Sequence, residues 1–150
     1  MSTHTNPFGV LITSFLDADW HEMPFGLQQT TINLGPKDDP NQPILVLTRF
    51  PPDVDLPRHS HAAPFCDAVV DGSMWVEDDD TWYPRGTVRF VPGGTVYGPT
   101  RSGPEGLTLL EFYATAGGFP AAMDFDAMTD EQRAEIERWR SRQPTSAGQS

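Results

Sequence analysis

Cysteine is almost absent from this chain: Cys66 is the only one, so no internal disulfide can form, and no Asn-x-Ser/Thr sequon occurs. Both absences suit a reducing cytoplasm. Basic side chains are scarce as well, with ten Lys and Arg against 21 Asp and Glu and a formal net charge of −11. Such a field repels phosphate backbones and anionic headgroups, which argues against nucleic acid or a membrane surface as partner. Long apolar runs are missing. The stretch around Val10 to Leu16 is broken by Thr13 and Ser14 and follows no basic region, so neither a signal peptide nor a membrane span is expected. There is also no Gly-x-Ser-x-Gly elbow, phosphate loop, dinucleotide fingerprint or Cys-x-x-Cys pair.

What is plentiful is punctuation. Fifteen prolines and thirteen glycines divide 150 residues into short apolar runs, a pattern for many short strands in one mostly β domain. Residues 1–27 mix Pro and Gly with Phe8, Val10, Leu11, Leu16, Trp20 and Phe25, which predicts an arm packed on the barrel or on a partner subunit; His21 within it reads as structural. Residues 28–118 hold the strands, the span that the resemblance described below makes a barrel. Strands are expected at 28–34, over the β-branched run 44–50 (ILVLTRF), at 65–70, 73–76, 81–83, 86–92, 96–98 and 107–114. Asp71-Gly72 reads as a hairpin turn, 77–80 (EDDD) as a solvated turn, Gly93-Gly94 as a tight turn and 99–106 as a loop. Thr129 followed by Asp130, Glu131 and Gln132 is a capping box for a helix running to about Arg140, with Met128, Ile136 and Trp139 as its apolar stripe, within a C-terminal segment 119–142. The tail 143–150 is expected to be disordered.

The chemistry concentrates at His59 and His61, the only close imidazole pair. On a strand, side chains two apart point the same way, so both rings can face one metal ion. Parity gives 65, 67 and 69 one face. Asp67 is therefore either a carboxylate ligand or the interior partner of Arg89, which shares a face with Thr87 and Val91. Glu111, inside 107–114 (LTLLEFYA), is an interior acid/base group or an exposed strand residue. Cys66, on the opposite parity, reads as a small buried hydrophobe, and Trp75, Trp82, Phe90 and Phe112 as core; Arg58 should face outward.

These residues resemble the cupins, small double-stranded β-helix (jelly-roll) barrels, over roughly 44–114. The carriers are His59-x-His61 with Gly72 at the expected distance, then Gly86, Pro92 and Gly94 in the frame of the second motif. Asp53 stands where the first motif usually begins with Gly, Phe65 fills the usual glutamate slot, and Tyr97 the second-motif histidine slot. The chain is similar to acetylacetone dioxygenases in His-x-His-Ala-x-Pro and Tyr97-Gly98-x-Thr100, and to the cupin domains of anti-sigma factors and dihydroxyacetophenone-type dioxygenases in Phe50-Pro51-Pro52 and Leu56-Pro57.

That resemblance implies an all-β cupin barrel with an N-terminal arm and a short C-terminal helix. Composition makes a cytoplasmic, bacterial-type protein the expectation and the apolar arm a homodimer, while the resemblance implies a small-molecule substrate and a divalent metal held by His59 and His61: Fe(II) favoured, Zn, Ni or Mn possible. Tyr97 would orient or ligate, and oxygen chemistry on a carbonyl or aromatic compound is the leading reading. Two others stand beside it. One is a non-oxidative isomerase, cyclase or lyase moving protons with Tyr97, Asp67 or Glu111; the other is a barrel that only binds a small ligand.

Overall fold

The computed structural model describes residues 3–144. The arm begins as a small hairpin, β1 (His4–Thr5) with β2 (Leu11–Ile12), and continues to β3 (His21–Glu22). The barrel follows with β4 (Gln28–Asn33), β5 (Ile44–Phe50), β6 (Asp55–Leu56), β7 (His59–His61), β8 (Phe65–Val76), β9 (Thr81–Pro84), β10 (Val88–Val91) and β11 (Thr100–Tyr113). Last come β12 (Ala121–Met123) and the helix α1 (Asp130–Arg142). The main sheet runs β10-β8-β11-β5-β4-β3, with β6 on β11 and β9 on β8; β12 pairs with β7 in a second sheet. All these pairings are antiparallel.

Two expectations of the sequence fail here for one reason. Asp71-Gly72 is not a hairpin turn and 99–106 is not a loop: β8 runs unbroken for 12 residues and β11 for 14, paired along much of their length with a register shift between Ser102 and Leu107. Gly72 serves the crossing of the two strands. It has φ 71°, and a Cβ there would meet the Gly106 carbonyl oxygen at 2.0 Å. A glycine required by close backbone approach looks, in sequence, like a glycine required by a turn. Asp53 lies at φ 55°, a left-handed position that Asp tolerates better than most residues, so its replacement of a motif glycine fits its local conformation.

Inward side chains are stacked in rows across the sheet. One row is apolar, Ile44, Tyr113, Phe65 and Val91; two residues along each strand lies Val46, Glu111, Asp67 and Arg89; beyond that lie Thr48, Leu109 and Val69. The middle row places three ionisable groups between two apolar clusters, one around Phe65 and Tyr113, the other around Phe50, Val69 and Leu109.

The outward parity explains a further correction. Cys66 is exposed rather than buried, and Phe90 and Phe112 are exposed rather than core, because their neighbours Phe65, Asp67, Arg89, Val91, Glu111 and Tyr113 take the interior; Trp82, on β9 opposite Trp75, is exposed as well. Arg58, half-buried, donates to the Gly98 carbonyl at 2.7 Å and pairs with Asp78 at 3.2 Å. The capping box is present: the Thr129 hydroxyl accepts from the Gln132 N–H at 3.1 Å, and the Gln132 side chain accepts from the Thr129 N–H at 3.0 Å. Ile136 and the preceding Met128 are buried, which fixes the helix to the body. Residues 145–150 of the expected disordered tail lie outside the described residues.

Candidate active site

The barrel encloses a cavity of about 380 Å³, a size typical of small-molecule sites. Apolar side chains such as Leu27, Phe50, Met74 and Leu109 make up much of its wall, and Ile136 and Trp139 of α1 line it beside Met23 and Phe25. Trp139 holds this closure by donating its indole N–H to the Glu22 carbonyl at 2.9 Å. His59, His61, Asp67, Arg89, Tyr97 and Glu111 all reach the same cavity, so the fold brings together every candidate residue that the sequence singles out.

The two imidazoles have defined tautomers. His59 Nδ1 lies 2.8 Å from the Pro57 carbonyl and His61 Nδ1 contacts the Phe119 carbonyl; a carbonyl only accepts, so each ring carries its proton on Nδ1 and a lone pair on Nε2. Backbone anchoring of this kind is what orients a metal-ligating histidine. The rings stand edge to face with centroids 5.2 Å apart. Each lone pair, however, meets a phenol. Tyr97 donates its hydroxyl proton to His59 Nε2 at 2.8 Å, and the Tyr113 hydroxyl lies 3.3 Å from His61 Nε2.

Tyr113 also lies 2.9 Å from Glu111 Oε1, and Thr48 donates to Glu111 Oε2 at 2.7 Å. A phenol has one proton. With Glu111 ionised, Tyr113 donates to the carboxylate; with Glu111 protonated, the acid can donate to the phenol, which then turns its own proton to His61. The protonation state of the acid thus decides whether the imidazole lone pair is covered. Arg89 completes the polar set, donating from Nε to Asp67 Oδ1 at 3.0 Å and from Nη2 to Asp67 Oδ2 at 2.5 Å, with its guanidinium 5.6 Å from the Tyr97 ring centre. Of the two roles open to Asp67, the ion pair is the one observed.

Burial governs the titrations. It lowers His59 to about 4, against the opposing pull of the Pro57 hydrogen bond, and lowers His61 as well. It raises Glu111 to about 7, although the Thr48 hydrogen bond works the other way. Burial, with the nearby Glu111 charge, pushes both Tyr97 and Tyr113 above the ordinary phenol range. For Arg89 burial opposes the charge, but the hydrogen bonds and charge of Asp67 outweigh it and the pKa rises.

The donor set does not fit the metal site that the histidine motif implies. Phe65 offers no ligand atom, Tyr97 is held protonated, and among the described residues no group of three His, Cys, Asp or Glu side chains converges on one point. Two neutral imidazoles remain, that of His59 engaged by the Tyr97 hydroxyl, whereas catalytic zinc and non-haem iron sites use three protein ligands.

Two residues of the site carry no motif, Tyr113 and Thr48, and a third, Thr100, enters the sequence reading only as part of the run Tyr97-Gly98-x-Thr100. Parity alone could have placed Tyr113 beside Glu111, and Thr48 is the one polar residue on the inward face of ILVLTRF.

No family model matches the chain, and no curated protein matches it in sequence. Likeness is found among solved structures. A polyketide cyclase, RemF, from Streptomyces resistomycificus matches with a TM-score of 0.62 at 15% identity, over 87% of this chain and 92% of that one. An RmlC-like cupin from Shewanella frigidimarina matches at 0.58 and 15%, over 85% and 100%. An acetylacetone dioxygenase from Acinetobacter johnsonii matches at 0.58 and 15%, over 87% of both chains. Identities this low speak for architecture, and the architecture is the one the sequence motifs imply: this chain folds as a cupin barrel.

Proposed function

We propose that this cupin barrel is an enzyme that moves protons on a small, largely apolar organic metabolite, in an isomerisation, cyclisation or elimination that needs no oxygen. The observation that carries the reading is Tyr113, whose hydroxyl lies between an acid with a pKa of about 7 and a neutral imidazole, inside a cavity with apolar walls. An acid/base group works best when its pKa lies near the operating pH, because both protonation states are then populated. In this reading the Glu111 carboxylate takes a proton from a carbon next to a carbonyl, and Tyr113 and His61 pass it on. The Arg89 guanidinium, fixed by Asp67, faces the oxygen on which negative charge develops, where a fixed donor in a low-dielectric site is most effective, while Tyr97 holds His59 in place. Returning the proton elsewhere gives an isomer; attack of the carbanion on a second carbonyl gives a ring; loss of a leaving group gives an alkene. The fold shared with a polyketide cyclase agrees with the second outcome. The single cysteine agrees with a cytoplasmic setting.

The test is solvent deuterium incorporation into a panel of β-diketones and hydroxylated aryl ketones, followed by NMR. Exchange should persist without oxygen and with chelator, and should be lost in Glu111→Gln. Exchange or turnover that needs added metal and oxygen overturns the reading.

The juxtaposed imidazoles and the likeness to an acetylacetone dioxygenase favour a second reading, the Fe(II) oxygenase expected from the sequence. It requires the Tyr97 proton to leave His59. Elemental analysis of protein purified without chelator, with oxygen uptake on the same panel, separates the two.

A further inference from the structure

The wall of the cavity is of two kinds. Much of it is strand held by pairing, but one side is closed by the hairpin loop 23–27, between β3 and β4, and by the helix α1 packed against it. Neither piece is firmly built in. β3 is an edge strand of two residues, paired to β4 only at His21↔Gln29 and Glu22↔Gln28, and Ile136 is the one buried residue of the 13 in α1. Within the loop Phe25 is held at φ 65°, a left-handed conformation that a bulky side chain rarely adopts, so the closed loop is strained. Segments with short pairing and few buried side chains are the first to open.

A second cavity, of about 440 Å³, adjoins this contact, and its lining includes Glu22, Gly26, Glu135 and Arg142 together with Met23 and Trp139. Met23 and Trp139 line both cavities, so their side chains are the partition between the two. Both are half-buried. The tie across the partition is the hydrogen bond from the Trp139 indole N–H to the Glu22 carbonyl, 2.9 Å long.

We infer that this partition is the gate of the site: small molecules pass from the outer cavity to the inner one between Met23 and Trp139, and the Trp139–Glu22 hydrogen bond is the latch. Breaking it frees the loop to swing on the short β3 and lets Phe25 leave its left-handed conformation. The helix stays anchored at its other end, where Met128 is buried and Arg133 donates to the Phe125 carbonyl at 2.5 Å. Charge selects what passes. The outer cavity sets the carboxylates of Glu22 and Glu135 against the single guanidinium of Arg142, and inside, Arg89 and Arg140 are already paired with Asp67 and Glu137. An anion finds no free cation along this route, so the class admitted is a neutral molecule with an apolar body. The inference concerns access and holds whichever chemistry the cavity performs.

Two measurements test it: hydrogen exchange for loop opening, and stopped-flow binding of prodan, a neutral fluorescent naphthyl ketone, for entry. In Trp139→Phe a ring remains and the indole donor is lost. Exchange at the Met23 and Leu27 amides, which close the loop on the Leu27 and Pro24 carbonyls, should quicken about fivefold, the net contribution of one hydrogen bond, with β5 and β8 unaltered. Association and dissociation of prodan should quicken together by about the same factor, so that affinity changes less than either rate. A residue that only touched the ligand would change dissociation alone. Met23→Ala thins the partition and leaves the latch; it should speed entry with loop exchange unaltered, and it carries the test if circular dichroism shows that Trp139→Phe does not fold. Unchanged exchange in a folded Trp139→Phe, unchanged entry in either folded variant, or a change in dissociation alone overturns the inference. So does failure of prodan to bind the wild type and both variants, since the route would then admit no molecule of the class it fits.

Discussion

The phenolic proton of Tyr97 ends on Nε2 of His59, 2.8 Å away, at the atom a histidine ligand would present to a metal. Tyr97 occupies the slot where the cupin second motif usually has histidine, so the substitution adds a donor where the family has an acceptor. Because burial raises the phenol and lowers the imidazole, both partners are neutral at physiological pH, and the hydrogen bond is one between uncharged groups.

Replacing that donor should change what the site binds. In Tyr97→His a third imidazole joins His59 and His61, and affinity for Zn or Fe(II) should increase by about tenfold or more, the scale on which ligand support acts. Titration calorimetry and elemental analysis of both proteins check this. A wild type that already holds one equivalent, with no gain in the variant, would contradict the donor-set argument.

Glu111 should leave its mark on stability. Its folded pKa of about 7 exceeds the unfolded value of 4.5, so the native state binds the proton more tightly and loses stability as pH rises through that window. The loss is about 3 kcal/mol, complete above about pH 7 and absent below about pH 4.5. Relative to the wild type, Glu111→Gln should therefore be more favourable at pH 8 than at pH 4, as read by urea unfolding at the two values. His59 acts oppositely: its folded pKa of about 4 lies below its unfolded 6.5, so its contribution is fully present above 6.5 and is lost as pH falls towards 4. The two slopes partly cancel in the wild type near pH 5 to 6, and the substitution should expose the histidine term.

How much of this was legible depends on whether a feature is local. His59-x-His61 and the Gly86, Pro92 and Gly94 frame are short-range patterns, and they identify the barrel and the imidazole pair. Parity within one strand correctly places Asp67 opposite Arg89, since the two strands pair in that register. What the chain hides is which face of the sheet is inside. Aromatic residues lie on both parities of β11, at Phe112 and Tyr113, and Phe90 is the one aromatic of β10, so Phe90 and Phe112 look like core until the pairing fixes Phe65 and Tyr113 as the inward set. Gly72 is ambiguous in the same way, its reason being a carbonyl on another strand. Tyr113 gained its role only when β11 and β7 converged on His61.

Breaking the interior ion pair should be costly. Asp67 is 2% exposed, so Arg89→Met leaves a carboxylate without its guanidinium in an apolar setting, a change that destabilises by about 3–5 kcal/mol. Removing both charges together, in Arg89→Met with Asp67→Leu, should cost much less because no unpaired charge remains. Denaturant titration of the single and double variants measures the difference; equal losses would show that the pair is not mutually compensating.

Thr48 and Thr100 make opposite predictions from the same residue type. Both are buried and line the cavity, yet the Thr48 hydroxyl binds Glu111 at 2.7 Å and accepts from Gln29 at 3.1 Å, while the Thr100 hydroxyl has no partner among the described residues. A buried hydroxyl without a partner costs about 1–3 kcal/mol of desolvation, whereas a satisfied one contributes about 1 kcal/mol net, and more when its acceptor is charged. Thr48→Val should therefore destabilise, most strongly above pH 7 where Glu111 is ionised. Thr100→Val, which keeps the side-chain volume, should be neutral or stabilising by about 1 kcal/mol. If Thr100 is the group that meets a polar atom of the bound metabolite, the same change should weaken substrate binding with little effect on the rate of the bound complex, raising KM rather than lowering kcat. Melting curves give the first pair of signs, and kinetics on any substrate found in the ketone panel give the second.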